Sequence, residues 1–271
     1  MRLVFSEAPP DYSRYLYPYI VWAFPEAGET PADFFARGFL PGSPRLDRFY
    51  LCRNLRVHLK AFAPSSENRR ILRKFSHVEV LLIPRSEFDY SDDRRRRWLR
   101  FAAERFGAEV MPEDRLNRLM ASPVVSHILQ FHVTQGGERR ELGCVLMFLD
   151  EPRIAYYYYA FYELEHFSSS LGLYMMTSAV AYFARAGYGH LHLGTCYTTS
   201  ALYKIQFLGI EFFNGARWST DLDELKFMVR RNVEGSSRVH LLEDPDYSRF
   251  LNGGSPATHA LGSEFRVDES V

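Results

Sequence analysis

Arg153-Ile154-Ala155-Tyr156-Tyr157-Tyr158-Tyr159-Ala160-Phe161-Tyr162 is the stretch whose reading decides the fold. A run so dense in aromatic residues, with no helical spacing of its apolar positions, is a strand. Two more β runs precede it, Val124 to Thr134 and Glu141 to Asp150. Gly136-Gly137 supplies the turn between those two, and Pro152 the turn before Arg153, which predicts an antiparallel meander. Downstream the apolar period lengthens: a helix spans about Ser170 to Ala186 and is stopped by Gly187. A short strand at Leu191-His192-Leu193, a helix across Ala201 to Phe207 and a last strand over Glu211 to Trp218 follow. Upstream, Thr30, Pro31 and Gly38 delimit a short helix, and His77 to Ile83 is a strand ended by Pro84. Ser91 caps a helix running to Gly107, with Trp98, Phe101, Ala102 and Phe106 at helical spacing, and Pro112 opens a shorter one. The fold class is α/β (α+β), with a mixed, largely antiparallel sheet and a smaller N-terminal region.

Composition narrows the function classes. With 271 residues, 46% hydrophobic and 15% aromatic, the chain can bury a large core without disulfides or metals. The formal net charge is zero, so a nucleic-acid partner must be met by a local patch and not by a global field. Only Lys60, Lys74, Lys204 and Lys226 are lysines; the other cations are arginines, which suit planar contacts to phosphate and carboxylate. Three widely spaced cysteines and a first segment without a long apolar run predict a cytoplasmic chain with no membrane partner. The Arg94-Arg95-Arg96-Arg97 run sits at the unfavourable end of its helix and is read as a solvated charged face, with an anion partner as the competing reading. His127 and His132 are read as packing residues, and the tyrosine run as mostly structural, with Tyr157 and Tyr159 as stacking candidates.

The order meander, helix, strand, helix, strand resembles the back half of the GNAT acyltransferase fold. That resemblance implies a cleft where the sheet parts beside the free N–H groups of the helix after the meander. The turn that wraps coenzyme A in such enzymes, R/Q-x-x-G-x-G/A, falls here on Ser168-Ser169-Ser170-Leu171-Gly172-Leu173, without the Arg or Gln and without the second glycine. A coenzyme A donor is therefore disfavoured. Ser170-Leu171-Gly172-x-Tyr174, Leu191-His192-Leu193-Gly194 and Tyr203-Lys204-x-x-Phe207 instead resemble the arginyl-tRNA–protein transferase family, including its bacterial aspartate/glutamate leucyltransferase branch. Phe62-x-Pro64-Ser65-x-x-Asn68-Arg69-Arg70, continued by Arg73, is similar to a second family segment, and Cys52 and Arg56 fall on family positions. The resemblance covers roughly residues 30–220 as a divergent member. It divides the chain into an N-terminal region (1–75), a transferase domain (76–231) and a flexible tail (232–271) in which Leu241-Leu242 and Tyr247 to Leu251 dock locally.

What the resemblance implies is transfer of an amino acid from aminoacyl-tRNA, as co-substrate and without a cofactor, to the N-terminal amine of an acceptor protein, as in N-degron tagging. Glu163 or Glu165 is the candidate for the amine's proton or for a cationic aminoacyl side chain, and Lys204 beside Tyr203 is the catalytic cation. Tyr162, Ser170, Leu171, Gly172, Tyr174, Gly194, Thr195, Tyr197 and Phe207 are the candidate substrate-binding residues. Arg56, Arg69, Arg70 and Arg73 are the candidate tRNA contacts. The partner cysteines that the family carries before Cys52 are replaced by Phe49 and Leu46, so no metal is expected. Two alternatives stand beside this reading: a coenzyme A-dependent GNAT N-acyltransferase, and a relative that binds without turnover.

Overall fold

The computed structural model describes residues 1–7, 18–164, 170–233, 240–251 and 255–265. The meander is β6 (Val78–Pro84), β7 (His127–Gln135), β8 (Glu138–Asp150) and β9 (Ile154–Tyr162), each antiparallel to the next. A parallel neighbour of β9 needs a crossover, and α5 (Leu171–Arg185) supplies it, leading into β10 (His190–Thr195). The first meander run starts later than read from sequence, because Val124 and Val125 are buried in the turn that leads into β7.

The sheet does not stop at β10. β5 (Asn54–His58) pairs antiparallel with β10 and with β11 (Ile210–Phe213), giving the eight-stranded order β12-β11-β5-β10-β9-β8-β7-β6. The expected boundary at residue 75 is therefore not a boundary between sheets. A second sheet, β1 (Arg2–Glu7), β2 (Tyr19–Phe24), β4 (Phe49–Leu51) and β3 (Phe39–Pro41) in that order, holds the start of the chain. The run Glu211 to Trp218 is two strands, β11 and β12 (Trp218–Ser219), joined by a turn in which Gly215 has φ 103°. The expected helix across Ala201 to Phe207 is a tighter 3₁₀ segment, Thr199–Ile205.

Strand alternation builds the layers. On β8, Val145, Met147 and Leu149 face the core under α5, while Cys144 and Leu146 face α3 (Asp92–Phe106) and α4 (Glu113–Met120). Phe148 joins a third core with Phe34 and Phe35 of α1 (Pro31–Ala36). The segment Ser65-x-x-Asn68 works as a helix cap. Ser65 Oγ accepts from Asn68 N, and Asn68 Oδ1 accepts from Ser65 N, both at 3.1 Å, opening α2 (Ser66–Lys74). The Arg94–Arg97 run is a paired face: Arg94 with Glu141, Arg95 with Asp92 and Glu113, Arg96 with Asp93, Arg97 with Asp93 and Glu163.

Two elements of the C-terminal third have no counterpart in the sequence reading. α6 (Leu222–Val233) buries Leu225, Met228 and Val229, and α7 (Pro256–Ala260) buries His259. Within the tail, Tyr247 and Leu251 are packed, at 1% and 5% exposed. The tie is a buried carboxylate. Glu224 Oε1 accepts from Tyr247 Oη at 2.6 Å and from Asn214 Nδ2 at 2.9 Å, and its Oε2 accepts from Ser219 Oγ at 2.7 Å.

The β5–β10 seam carries histidines without room for a proton. Burial holds His190 down to about 4, and holds fully buried His192 well below the usual value, helped in both cases by Arg56. The unfolded chain takes up these protons near pH 6.5 while the folded chain does not, so stability falls as pH drops from about 6.5 towards about 4. Denaturation melts across that window are expected to lose midpoint with each step. A His190→Gln chain should have a flatter slope than the parent; an identical slope contradicts the assignment.

Candidate functional site

β9 and β10 pair only from Ile154 to Tyr156 against His190 to His192. Beyond that point β9 stays with β8, β10 stays with β5, and the sheet parts. A bulge marks the place: Met147 faces Tyr157 and Leu146 faces Tyr159, leaving Tyr158 as the extra residue. The expected one-by-one alternation of the tyrosine run therefore fails there. Tyr157 turns to the core under α5, while the Tyr158 and Tyr159 rings lie side by side, 4.5 Å between centroids.

Two cavities open on either side of the parting. The smaller, about 380 Å³, is lined by the start of α5 (Ser170, Gly172, Leu173), by Tyr162 and Tyr203, and by Arg105. The larger, about 630 Å³, is lined by Trp22, Tyr50, Arg115, Arg118, Gly194 and Thr195 among others. Tyr158, Tyr159, Leu193 and Lys204 line both, so these four form the waist between them. Among the described residues, no Asp or Glu lines either cavity.

Lys204 is held at the waist by the parted strand itself. Past His192 the carbonyls of β10 lose their β9 partners, and Lys204 Nζ donates to Leu193 O at 3.0 Å and Thr195 O at 3.2 Å. Burial pulls its pKa below the usual lysine value. An ammonium has three donors, so one N–H remains for a ligand. The start of α5 carries N–H groups without intrahelical partners, and Ser170 before it sits in the left-handed region with φ 69°.

The structure divides the candidate residues. Tyr162, Ser170, Gly172, Tyr203 and Lys204 come together in the smaller cavity, and Gly194 and Thr195 in the larger. Leu171, Tyr174 and Phe207 do not line the cleft: they are buried in the main core, where Tyr174 stacks on Phe75 at 4.6 Å and Phe207 meets Phe62. Apolar spacing on α5 sends Leu171 and Tyr174 inward. Tyr197 lies beside the cleft, its hydroxyl accepting from Arg53 N at 2.9 Å. Glu163 is also outside. Its Oε1 accepts from Arg97 Nη1 at 2.5 Å in a separate hollow, so the strand end turns it to α3 and away from the waist. Glu165 lies outside the described residues.

The arginines expected to meet tRNA are not at the cleft. Arg56 is engaged by Glu211 at 2.6 Å and covered by the Trp218 ring at 3.7 Å. Arg70 pairs with Glu67, Arg69 Nη1 donates to Pro64 O, and Arg73 shares their helix; none of the three lines either cavity. Cys52 is a packing residue of the small sheet, its thiol pushed up by burial. Among the described residues no cluster of His, Cys, Asp and Glu is gathered as a metal site. No described helix is long and apolar enough to cross a membrane.

Gly172 admits a neighbour more than a ligand. A Cβ there would stand 3.1 Å from the Tyr162 hydroxyl and 3.2 Å from its ring. Gly172→Ala is expected to displace the Tyr162 ring into the smaller cavity and raise the KM of whatever donor occupies it several-fold. A melting midpoint within a few degrees of the parent would show the effect is local. An unchanged KM contradicts this packing.

Sequence reasoning missed Arg105, Arg115, Arg118 and Tyr158. The three arginines lie on polar helix faces with no local signature, and Tyr158 is placed by a bulge that alternation cannot foresee.

A meander, a crossover helix whose start faces the gap, and a next strand that parts from the sheet together define an acyltransferase fold of the GNAT kind. No family model matches the chain. It is 26% identical over 174 residues, 62% of this chain and 67% of the relative, to an aspartate/glutamate leucyltransferase of Sphingopyxis alaskensis. That likeness agrees with the motifs, which resemble those of the aminoacyl-tRNA–protein transferases. Among solved structures it is similar to the C-terminal domain of a putative lysylphosphatidylglycerol synthetase from Agrobacterium fabrum, at 13% identity and TM-score 0.42, over 53% of this chain and 46% of that one. It is also similar to FemX, at 10% identity and TM-score 0.40, over 53% and 52%. The chain thus spans about half the length of each of these two structures.

Proposed function

We propose that the chain transfers an aminoacyl group from a tRNA ester to the α-amine of an acceptor polypeptide, with the ester carbonyl at the waist beside Lys204. The observation that carries this reading is the pair of cation-bearing cavities, with no acid among their described lining residues, that meet at one lysine. The donor's 3′ end fits the smaller cavity, where the α5 N–H groups and Arg105 favour a phosphate. Tyr157, Ala160, Leu173, Met176 and Leu193 give that cavity an apolar lining. A leucyl-like side chain suits it, whereas an arginyl group would need a carboxylate, and no described lining residue supplies one. The larger cavity, with Arg115 and Arg118, suits an acidic first residue of the acceptor, the class named for the Sphingopyxis relative.

The chemistry needs little from the protein because the donor is already an activated ester. The neutral amine attacks the ester carbonyl carbon, forming the new C–N bond and an oxyanion. Lys204 donates its third N–H to that oxygen. The C–O bond to the ribose then breaks, and the departing 3′ oxygen takes the proton the amine gives up. Holding amine and ester at the two ends of one waist supplies the orientation.

Incubation with radiolabelled leucyl-tRNA and a peptide beginning with Asp tests the reading. Label in the peptide is expected. Label from acetyl coenzyme A alone would move the chain to the thioester-dependent acyltransferases, and peptide binding with transfer from neither would make it a binding relative.

A further inference from the structure

The larger cavity does not end at the acceptor's first residue. It shares Ser43, Pro44 and Arg118 with a further hollow of about 560 Å³ that also has Arg45 and Arg48 in its wall. Together they make one trough running outward from the waist. The cations along it differ from the paired arginines of α3 and β5. Arg94 to Arg97 are each ion-paired, and Arg56 is engaged by Glu211. Among the described residues, Arg45, Arg48 and Arg118 carry no ion pair. Arg115, at the inner end, is fixed by donating to Val110 O at 2.7 Å and to Tyr159 Oη at 3.3 Å. Arg48 lies over the Trp22 ring at 5.2 Å, which holds its guanidinium in the wall. Among the described lining residues the one acid, Asp47, accepts from Ser43 Oγ at 2.6 Å and faces that turn.

We propose that this trough binds an acidic peptide segment: the acceptor is selected by carboxylates at its second to fourth positions as well as by its first residue. The inference rests on the transfer reading, which places the acceptor in the larger cavity and the donor at α5. What leaves the larger cavity is then the rest of the acceptor polypeptide. An extended chain advances about 3.3 Å per residue, so the three residues after the first extend about 10 Å outward from the larger cavity. Arginine without a resident acid presents a paired donor edge to each carboxylate. Desolvation of those guanidinium groups is partial, so recognition should weaken with salt.

Direct binding tests it without requiring turnover. Two fluorescent peptides begin with Asp; one carries Glu at positions 2 to 4 and the other Gln. Fluorescence anisotropy at low salt is expected to give the acidic peptide about tenfold tighter binding, which corresponds to about 1.4 kcal/mol. Arg45→Ala combined with Arg48→Ala should bring the two peptides together. Equal affinities in the parent chain overturn the proposal. So does a double variant that keeps the peptide difference but weakens leucyl-tRNA in a filter-binding assay, because the trough would then be an RNA surface. If the parent prefers the acidic peptide but transfers nothing to it, the transfer reading fails while the acidic-segment surface stands.

Discussion

Replacing Lys204 with methionine is expected to lower kcat for aminoacyl transfer by about 10²- to 10³-fold, the size of effect seen when one oxyanion donor is removed. Methionine keeps the volume of the stem while deleting the charge and all three donors. KM for the tRNA should move far less than kcat, because the third N–H is used only when the carbonyl oxygen becomes an anion. A pH profile separates this from a structural role. Burial holds the ammonium below the ordinary lysine value. The donating form is the protonated one, so kcat falls as pH rises through a pKa lower than the usual ~10.4. The variant should lack that alkaline limb. Because Lys204 also satisfies Leu193 O and Thr195 O, the variant loses stability too, and the comparison of pH profiles is the decisive readout. An alkaline limb that survives in the variant contradicts the role given to Lys204.

Tyr247→Ala is expected to destabilise the chain by about 3–5 kcal/mol, as for other large buried aromatic truncations. Tyr247 is 1% exposed and its hydroxyl is one of three donors to the buried carboxylate of Glu224. Tyr247→Phe keeps the ring and deletes only that donor, which should cost about 1–3 kcal/mol by leaving a carboxylate oxygen with Asn214 alone. Denaturant titrations of both variants, read as midpoints at constant slope, test the pair. Midpoints within error of the parent in both would mean the tail is not part of the folded unit.

These two sites mark the edges of what the sequence makes legible. The meander, the crossover helix and several helix ends follow from local signals: Ser91, Pro112 and Gly187 stand where termini need them. Lys204 was legible for a different reason, being one of four lysines in an arginine-rich chain. What failed needed tertiary information. Glu163 is a plausible base until Arg97, from a helix far upstream, takes its carboxylate. Arg56 lies in a segment that resembles family tRNA contacts, yet β5 enters the large sheet and Glu211 from β11 engages it. Tyr174 and Phe207 sit at motif positions because the core needs them there. In the tail, where apolar residues are sparse, Tyr247 to Leu251 carries a docking signal in sequence; what no local pattern announces is the polar anchor, one buried glutamate from α6 that accepts from Tyr247.

The most direct measurement is a crystal structure with an amide analogue of a 3′-leucyl adenosine, in which the ester oxygen is replaced by nitrogen. The account predicts the leucyl side chain in the smaller cavity, the nucleoside beside Ser170 and Gly172, and the carbonyl oxygen within hydrogen-bond reach of Lys204 Nζ, with the larger cavity left open for an amine. An analogue bound with its carbonyl away from Lys204, or a larger cavity that accepts the nucleoside instead, would contradict it.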